Sequence, residues 1–334
     1  MIVMVIGMAI IMTREKAPRQ TAKHPEDEAR HPWIVAFSGS DPQETLAGLR
    51  GELRGQVDVV SPHWLRFDAE GNLTSEVFSD EVVREAHSQG AKVWPLVAYA
   101  GPYGTTAGCP AILCRQEGAF RFAENLANWA RERHLDGLVL DVEYLGASVR
   151  PHLVMFSAEL HGMLRARGLQ LWIAAFPQVD FHEAYAVLHD LPGLASVSDG
   201  VILMAYDRHG PHTGPGPVAP LMWVRDNALE AMRHVPKDRL ILGLPSYGYI
   251  WHKRGAGWTT EVLPARRMSQ SMEQGQGDGE HATVSGGDAW WDGIRAGRYK
   301  ALMARDLGLR GVAVWRHGLA TSDLWLHLRQ ALDS

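Results

Sequence analysis

From Trp33 onward, short apolar runs alternate with amphipathic helical patterns, and this alternation limits the chain to very few architectures. The runs are Trp33–Ser38, Val57–Phe67, Lys92–Tyr99, Gly137–Leu145, Leu169–Pro177, Gly200–Asp207, Leu240–Trp251 and Gly311–Leu319. They are apolar nearly throughout, as strands of a parallel sheet covered on both faces must be. Helix signals lie between them. Asp41-Pro42-Gln43-Glu44 reads as a capping box with Pro in the first turn. Phe122, Leu126 and Trp129 form one helical stripe. Leu153, Phe156, Leu160 and Leu164 form another, stopped by Gly168. Residues 221–235 repeat the pattern, and Gly90 ends the helix before the third run. Eight such units in about 300 residues predict an α/β chain folded as a (β/α)8 TIM barrel. A doubly wound open sheet is the rival, but no GxGxxG follows the first run.

Two stretches depart from the short-loop pattern. Thr105–Gln116 reads as a long loop after strand 3, and His252–Asp292 as a longer insertion between strand 7 and the last helices. The centre of the insertion, Gln274 to Gly279, is predicted to be flexible. Both follow strand C-terminal ends, where barrel enzymes build their sites. At the other end, residues 1–12 are apolar, and Arg14, Glu15, Lys16 and Arg19 follow at once. The run is short for a membrane span and its positive charge lies on the wrong side for an ordinary secretory signal. A truncated signal or short membrane anchor is the preferred reading, residues 13–31 are a linker, and residues 32–334 are the barrel. The chain is thus expected to be exported or attached to the cell envelope, with a cytoplasmic location left open.

With 33 Lys+Arg against 38 Asp+Glu, the net charge is −5, so there is no basic surplus for nucleic acid. Twelve Trp outnumber eight Tyr and eight Phe, which suits flat binding surfaces, although Trp also fills cores. Cys109 and Cys114 are too few for a disulfide scaffold or a zinc set; a local disulfide and two free thiols both remain open.

The chemistry concentrates in Asp136-Gly137-Leu138-Val139-Leu140-Asp141-Val142-Glu143-Tyr144. Alternation along a strand puts Gly137, Val139, Asp141 and Glu143 on one face, with apolar Leu138, Leu140 and Val142 on the other. Asp141 and Glu143 are therefore expected to face the lumen, with Glu143 near the C-terminal mouth. Two such carboxylates repel each other and raise at least one pKa, which a general acid needs. Mouth carboxylates salt-bridged to loop Arg or Lys are the structural alternative.

This segment resembles the DGxDxDxE signature of glycoside hydrolase family 18, the chitinase-like enzymes. Met204-Ala205-Tyr206-Asp207 resembles the family's MxYD motif. Gly243-Leu244-Pro245-Ser246-Tyr247-Gly248 is similar to its GxPxYG motif, and Gly311-Val312-Ala313-Val314-Trp315 to its final strand. Ser61-Pro62-His63-Trp64, Gly216-Pro217-Val218-Ala219-Pro220 and Gly248-Tyr249-Ile250-Trp251 are similar to the spore-germination and cortex-lytic branch. Four family motifs in order on successive strands are specific, and the resemblance spans residues 33 to about 328.

The resemblance implies retaining hydrolysis of β-linked N-acetylglucosamine polymers, with the substrate's own 2-acetamido group as nucleophile. This departs from the two-carboxylate scheme. Glu143 matches the acid/base, Asp141 the group that orients the acetamido N–H, and Tyr206 the hydroxyl that holds its carbonyl. Trp315 matches the floor beneath the sugar, with Asp207, Tyr247, Trp64 and Met204 as weaker substrate contacts. Met204 and the aromatics are also plausible core fillers of a barrel. Neither cofactor nor metal is implied: His209 and His212, after strand 6, read as surface histidines. Val139 stands where the family commonly has a second inner Asp, which should leave Asp141 more easily ionised. The implied partner is a polysaccharide containing N-acetylglucosamine, peptidoglycan rather than chitin, bound by a monomer. A chitinase-like carbohydrate-binding protein with weak or no turnover is the alternative.

Overall fold

The computed structural model describes residues 31–100, 109–255, 257–267, 279–284 and 287–334. Residues 1–12 and most of the linker, the Gly-rich centre of the insertion, and residues 101–108 of the loop after strand 3 lie outside the described residues. Among the described residues, no helix is long and apolar enough to cross a membrane.

The eight apolar runs form a closed parallel barrel. Strand 1 is Trp33–Ser38, strand 4 Gly137–Glu143, strand 5 Gln170–Ala175, strand 6 Gly200–Leu203, strand 7 Leu240–Pro245 and strand 8 Gly311–Trp315. Strand 2 comes in two pieces, Val59–Pro62 and Leu65–Phe67, and strand 3 in two, Lys92–Val93 and Leu96–Ala100. Each strand pairs in parallel with the next, and strand 8 closes the ring against strand 1 through Trp33↔Gly311 to Ala36↔Val314.

Alternation sorts the side chains into layers. Val35, Val59, Leu96, Val139, Trp172 and Ile202 pack inside the lumen, whereas Leu138, Leu140 and Val142 face the helices. Burial of such side chains contributes about 1.5–3 kcal/mol each, and this sets strand register. Trp94 stacks on Trp172 at 5.3 Å and, with Trp33, plugs the N-terminal end. Eight of the twelve Trp are buried, so the Trp surplus serves mostly the core.

The expected helices form on the expected stripes: Pro42–Arg50, Gln116–Glu132, Arg150–Arg165 and Leu221–Met232. At the first, Asp41 caps the Gln43 N–H at 2.9 Å. The reciprocal half of the predicted box is replaced, because the Glu44 carboxylate faces Arg316 at 3.5 Å. The loop after strand 3 contains a short helix, Ala111–Cys114, and Cys109 and Cys114 are joined by a disulfide.

The largest difference from the sequence expectation is at strand 7. The run Leu240–Trp251 is two strands of two sheets, broken at Ser246. There the Ser246 N–H and Oγ donate to the carbonyls of Trp315 and Arg316. Tyr247–Arg254 then enters a four-stranded antiparallel sheet with Gly257–Pro264, Gly287–Trp291 and Glu280–Val284. The insertion is thus an ordered sheet on either side of its Gly-rich centre. Gly248 is required where Tyr247–Arg254 pairs closely with Gly287–Trp291, since a Cβ there would lie 1.8 Å from the Trp290 carbonyl oxygen.

Candidate active site

Strand 4 delivers Asp141 and Glu143 to the C-terminal mouth as alternation requires. They share a cavity of about 300 Å³ with Phe37, His63, Arg66, Tyr99, Met204, Tyr206, Asp207, Tyr247 and Trp315. A second lobe of about 320 Å³ adjoins it through Glu143, Tyr144, Met204, Tyr206 and Asp207. That lobe is walled by Phe176, Phe181, Tyr185, Asp180 and Arg208. The cleft therefore crosses the barrel mouth, with both carboxyls near its middle.

The turns that set these side chains are tight. Tyr144 and Asp207, at the exits of strands 4 and 6, adopt positive φ values of 59° and 58°. Such backbone costs about 1 kcal/mol or more for a non-glycine residue and persists only where surrounding structure enforces it. At Asp207 the enforcement is visible: Oδ1 accepts hydrogen bonds from Tyr247 Oη at 2.7 Å and Tyr249 Oη at 3.0 Å. Gly243 makes room for Tyr206, because a Cβ there would lie 2.6 Å from the Leu203 carbonyl oxygen and 3.2 Å from the Tyr206 ring. His189 supports the site from below. Its Nδ1 accepts from the Phe176 N–H and its Nε2 donates to the Val142 carbonyl, both at 3.1 Å. Burial lowers His189 to about 4, consistent with this neutral imidazole.

Burial governs the acids. It pushes the Asp141 carboxyl up to about 7, with Arg66 opposing the shift. It pushes Glu143 well above the usual range, and the charges of Asp141 and Asp207 add to the rise. Asp207 is also raised by burial, while its two tyrosine hydrogen bonds pull the other way. Asp141 Oδ1 is buried without a hydrogen-bond partner. The structural alternative of loop ion pairs is not realised: among the described residues neither carboxylate forms a salt bridge. Val139 is fully buried among apolar lumen residues. The missing inner Asp does not leave Asp141 easy to ionise, because burial outweighs the relief of repulsion.

Seven of the eight site residues expected from sequence meet in this cleft: Glu143, Asp141, Tyr206, Trp315, Asp207, Tyr247 and Met204. Trp64 does not. It is fully buried on the helix side, edge-on to Phe78 at 5.6 Å, so it has no surface to offer a ligand. His63 takes the lumen position instead. Counting alternation from inward Val59 through Ser61 to His63 was the signal that identifies it. His212, expected on the surface, is exposed but also lines the rim of the second lobe. His209 packs beneath Gly216, with its Nδ1 3.3 Å from the Gly214 carbonyl. Tyr144, Phe176, Phe181 and Tyr185 carried no sequence signal, since they come together only through folding.

A closed barrel holding two raised carboxyls in an aromatic cleft at its C-terminal mouth has the layout of a barrel enzyme. The family model for glycosyl hydrolases family 18 matches residues 101–319, and the chain belongs to that family. A Bacillus subtilis cortical fragment-lytic enzyme is 24% identical over 228 residues, 62% of this chain and 52% of that protein. The glycosylase YdhD of the same organism is 31% identical over 180 residues, 54% of this chain and 37% of that protein. The chain thus spans about half, or less, of the length of these relatives. Among solved structures, a chitinase from Chromobacterium violaceum superposes with a TM-score of 0.78 at 19% identity, over 91% of this chain and 99% of that one. The Bacillus megaterium spore cortex-lytic enzyme SleL superposes with a TM-score of 0.76 at 18% identity, over 90% of this chain and 74% of that one.

Proposed function

We propose that the chain is a retaining glycoside hydrolase that cleaves β-linked N-acetylglucosamine polymers by substrate-assisted catalysis, with peptidoglycan preferred over chitin. One observation carries the reading: Glu143, pushed well above the usual carboxyl range by burial and by the charge of Asp141, stands in one cleft with Asp141, Tyr206 and Trp315. A carboxyl that keeps its proton near neutral pH can give it to a glycosidic oxygen. Glu143 protonates that oxygen as the C1–O bond breaks. The acetamido carbonyl oxygen attacks C1 and forms a cyclic oxazolinium ion. Asp141 accepts the acetamido N–H and balances the positive charge, while the Tyr206 hydroxyl holds the carbonyl in line. Water then attacks C1 and yields its proton to Glu143 while the C1–O bond of the oxazolinium ring breaks, which regenerates the acetamido group, the acid and the starting configuration. Trp315 supplies the apolar floor under the sugar, with Asp207, Tyr247 and Met204 around it.

The preference for peptidoglycan rests on the cortex-lytic names of the relatives and on the motifs shared with that branch. Action at the cell envelope, with residues 1–12 as leader or anchor, belongs to the same proposal. Val139 favours a second reading, a carbohydrate-binding protein with weak turnover. Purified sacculi and chitin oligomers incubated with wild type and Glu143→Gln, with products identified by mass spectrometry, separate the readings. New reducing ends at N-acetylglucosamine from wild type alone support hydrolysis. Binding with equally inert proteins supports the second reading. Faster release from chitin than from sacculi overturns the substrate preference.

A further inference from the structure

The lobe of the cleft formed by strands 1 to 3 contains a polar side chain that the proposed mechanism does not use. His63 lines the cavity with Asp141, Glu143 and Trp315. Its ring centroid lies 6.4 Å from that of Trp315, at an interplanar angle of 56°. Its Nε2 is buried and has no hydrogen-bond partner. An unsatisfied buried polar atom is a standing cost to the fold, and in a binding cleft it marks the place where a ligand atom completes the bond. We propose that His63 is a substrate-binding residue whose Nε2 hydrogen-bonds a hydroxyl or carbonyl oxygen of the sugar lying on Trp315.

The surroundings define what kind of atom fits. The side chain is half-buried between strand pieces Val59–Pro62 and Leu65–Phe67, and the His63 backbone N–H donates to the Ser38 carbonyl at 3.1 Å, which anchors the residue between the two pieces. Arg66 shares the lobe, and the charges of Arg66 and Arg316 add to burial in holding the imidazole down to about 4. The ring is therefore neutral at working pH, with one donor and one acceptor nitrogen. A neutral imidazole flanked by guanidinium groups suits an uncharged, oxygen-rich ligand edge, such as the hydroxyl or acetamido edge of a sugar. Sugar rings stack on indole by their faces and present their hydroxyls at the rim, and an imidazole centred 6.4 Å from the Trp315 ring is close enough to reach such a hydroxyl.

This inference rests on the glycan reading of the cleft, and its test keeps the two apart. The parent is the full chain carrying Glu143→Gln, which binds without turnover. Calorimetric titration with tetra-N-acetylchitotetraose is expected to give about a 10-fold weaker Kd for His63→Leu and His63→Ala, and at least threefold recovery in His63→Gln. Without ligand, His63→Leu is expected to melt at or above the parent's temperature, because the orphaned nitrogen is gone. A His63→Leu protein that binds within twofold of its parent overturns the assignment. So does equal loss in the Leu and Gln variants accompanied by a lower melting temperature, which marks a packing role. If the parent itself binds neither the tetramer nor muropeptides, the glycan reading falls, and the assignment with it.

Discussion

Tyr247 Oη donates a 2.7 Å hydrogen bond to Asp207 Oδ1 and so ties the strand exiting the barrel at Ser246 to the left-handed turn after strand 6. The bond joins the insertion sheet to the catalytic mouth. Tyr249 adds a second donor to the same oxygen at 3.0 Å. Asp207 in turn adds to the electrostatic rise of Glu143. One tyrosine thus connects sheet architecture to the proton held by the proposed acid.

Tyr247→Phe removes one of the two donors from a buried carboxyl. Such a loss costs about 1–3 kcal/mol. Those hydrogen bonds lower the Asp207 pKa, so the variant's Asp207 becomes still harder to ionise. Chemical denaturation should show a lower midpoint with an unchanged slope, and a changed slope would point to a different native state.

The pH profile of kcat/KM follows from the acid pair. The proposed active form has Asp141 ionised and Glu143 protonated. Activity should rise with pH through about 7 as Asp141 ionises, then fall once the pair loses its second proton. In Asp141→Asn the rising limb disappears. Its falling limb moves to lower pH, because the Asp141 charge no longer raises Glu143. A falling limb that stays in place contradicts the coupling.

Stability should run against activity. Asp141, Glu143 and Asp207 all have folded-state pKa values above their ordinary ones. A raised carboxyl contributes its stability below its unfolded pKa, and that contribution is lost as pH rises through the folded value. The unliganded protein should therefore lose stability from about pH 4 to beyond 7 through these groups. At pH 8, Asp141→Asn and Glu143→Gln should each melt about 2–4 °C above wild type by scanning calorimetry. Melting below wild type would show that the carboxylates stabilise the fold.

Trp64 and Trp315 should separate in their effects. Trp64→Ala deletes a fully buried ring and should cost about 3–5 kcal/mol of stability. The Trp64→Ala protein that does fold should keep the wild-type KM. Trp315→Ala should instead raise KM for N-acetylglucosamine oligomers about 10-fold or more, since aromatic hot spots contribute about 2 kcal/mol on truncation. Steady-state kinetics alongside melting curves reads both effects.

The barrel was legible because its strands are buried on both faces. Such strands must be apolar throughout, and eight of them separated by helical stripes admit few closed arrangements. Asp141 and Glu143 were legible for a related reason: polar residues interrupting an apolar strand at alternate positions share one face. The same logic stops working where strands break. Strand 2 slips by one residue between its two pieces, so Trp64 and Leu65 both face the helices while His63 and Arg66 face the cleft. The run through Ser246 gave no composition change where one sheet hands over to another.

Chemical character and periodicity, both local properties, are written in the chain itself, and they determined the strand count, the helix faces and the inward pair of acids. Long-range contact decided everything that depends on who sits opposite whom: the orphaned nitrogen of His63, the tyrosine pair on Asp207, and the aromatic wall around Tyr144. Above all it decided how far each carboxyl is removed from water. Desolvation depends on atoms tens to hundreds of residues away, so no local window of sequence contains it, and only the closed barrel sets the proton affinity of Glu143.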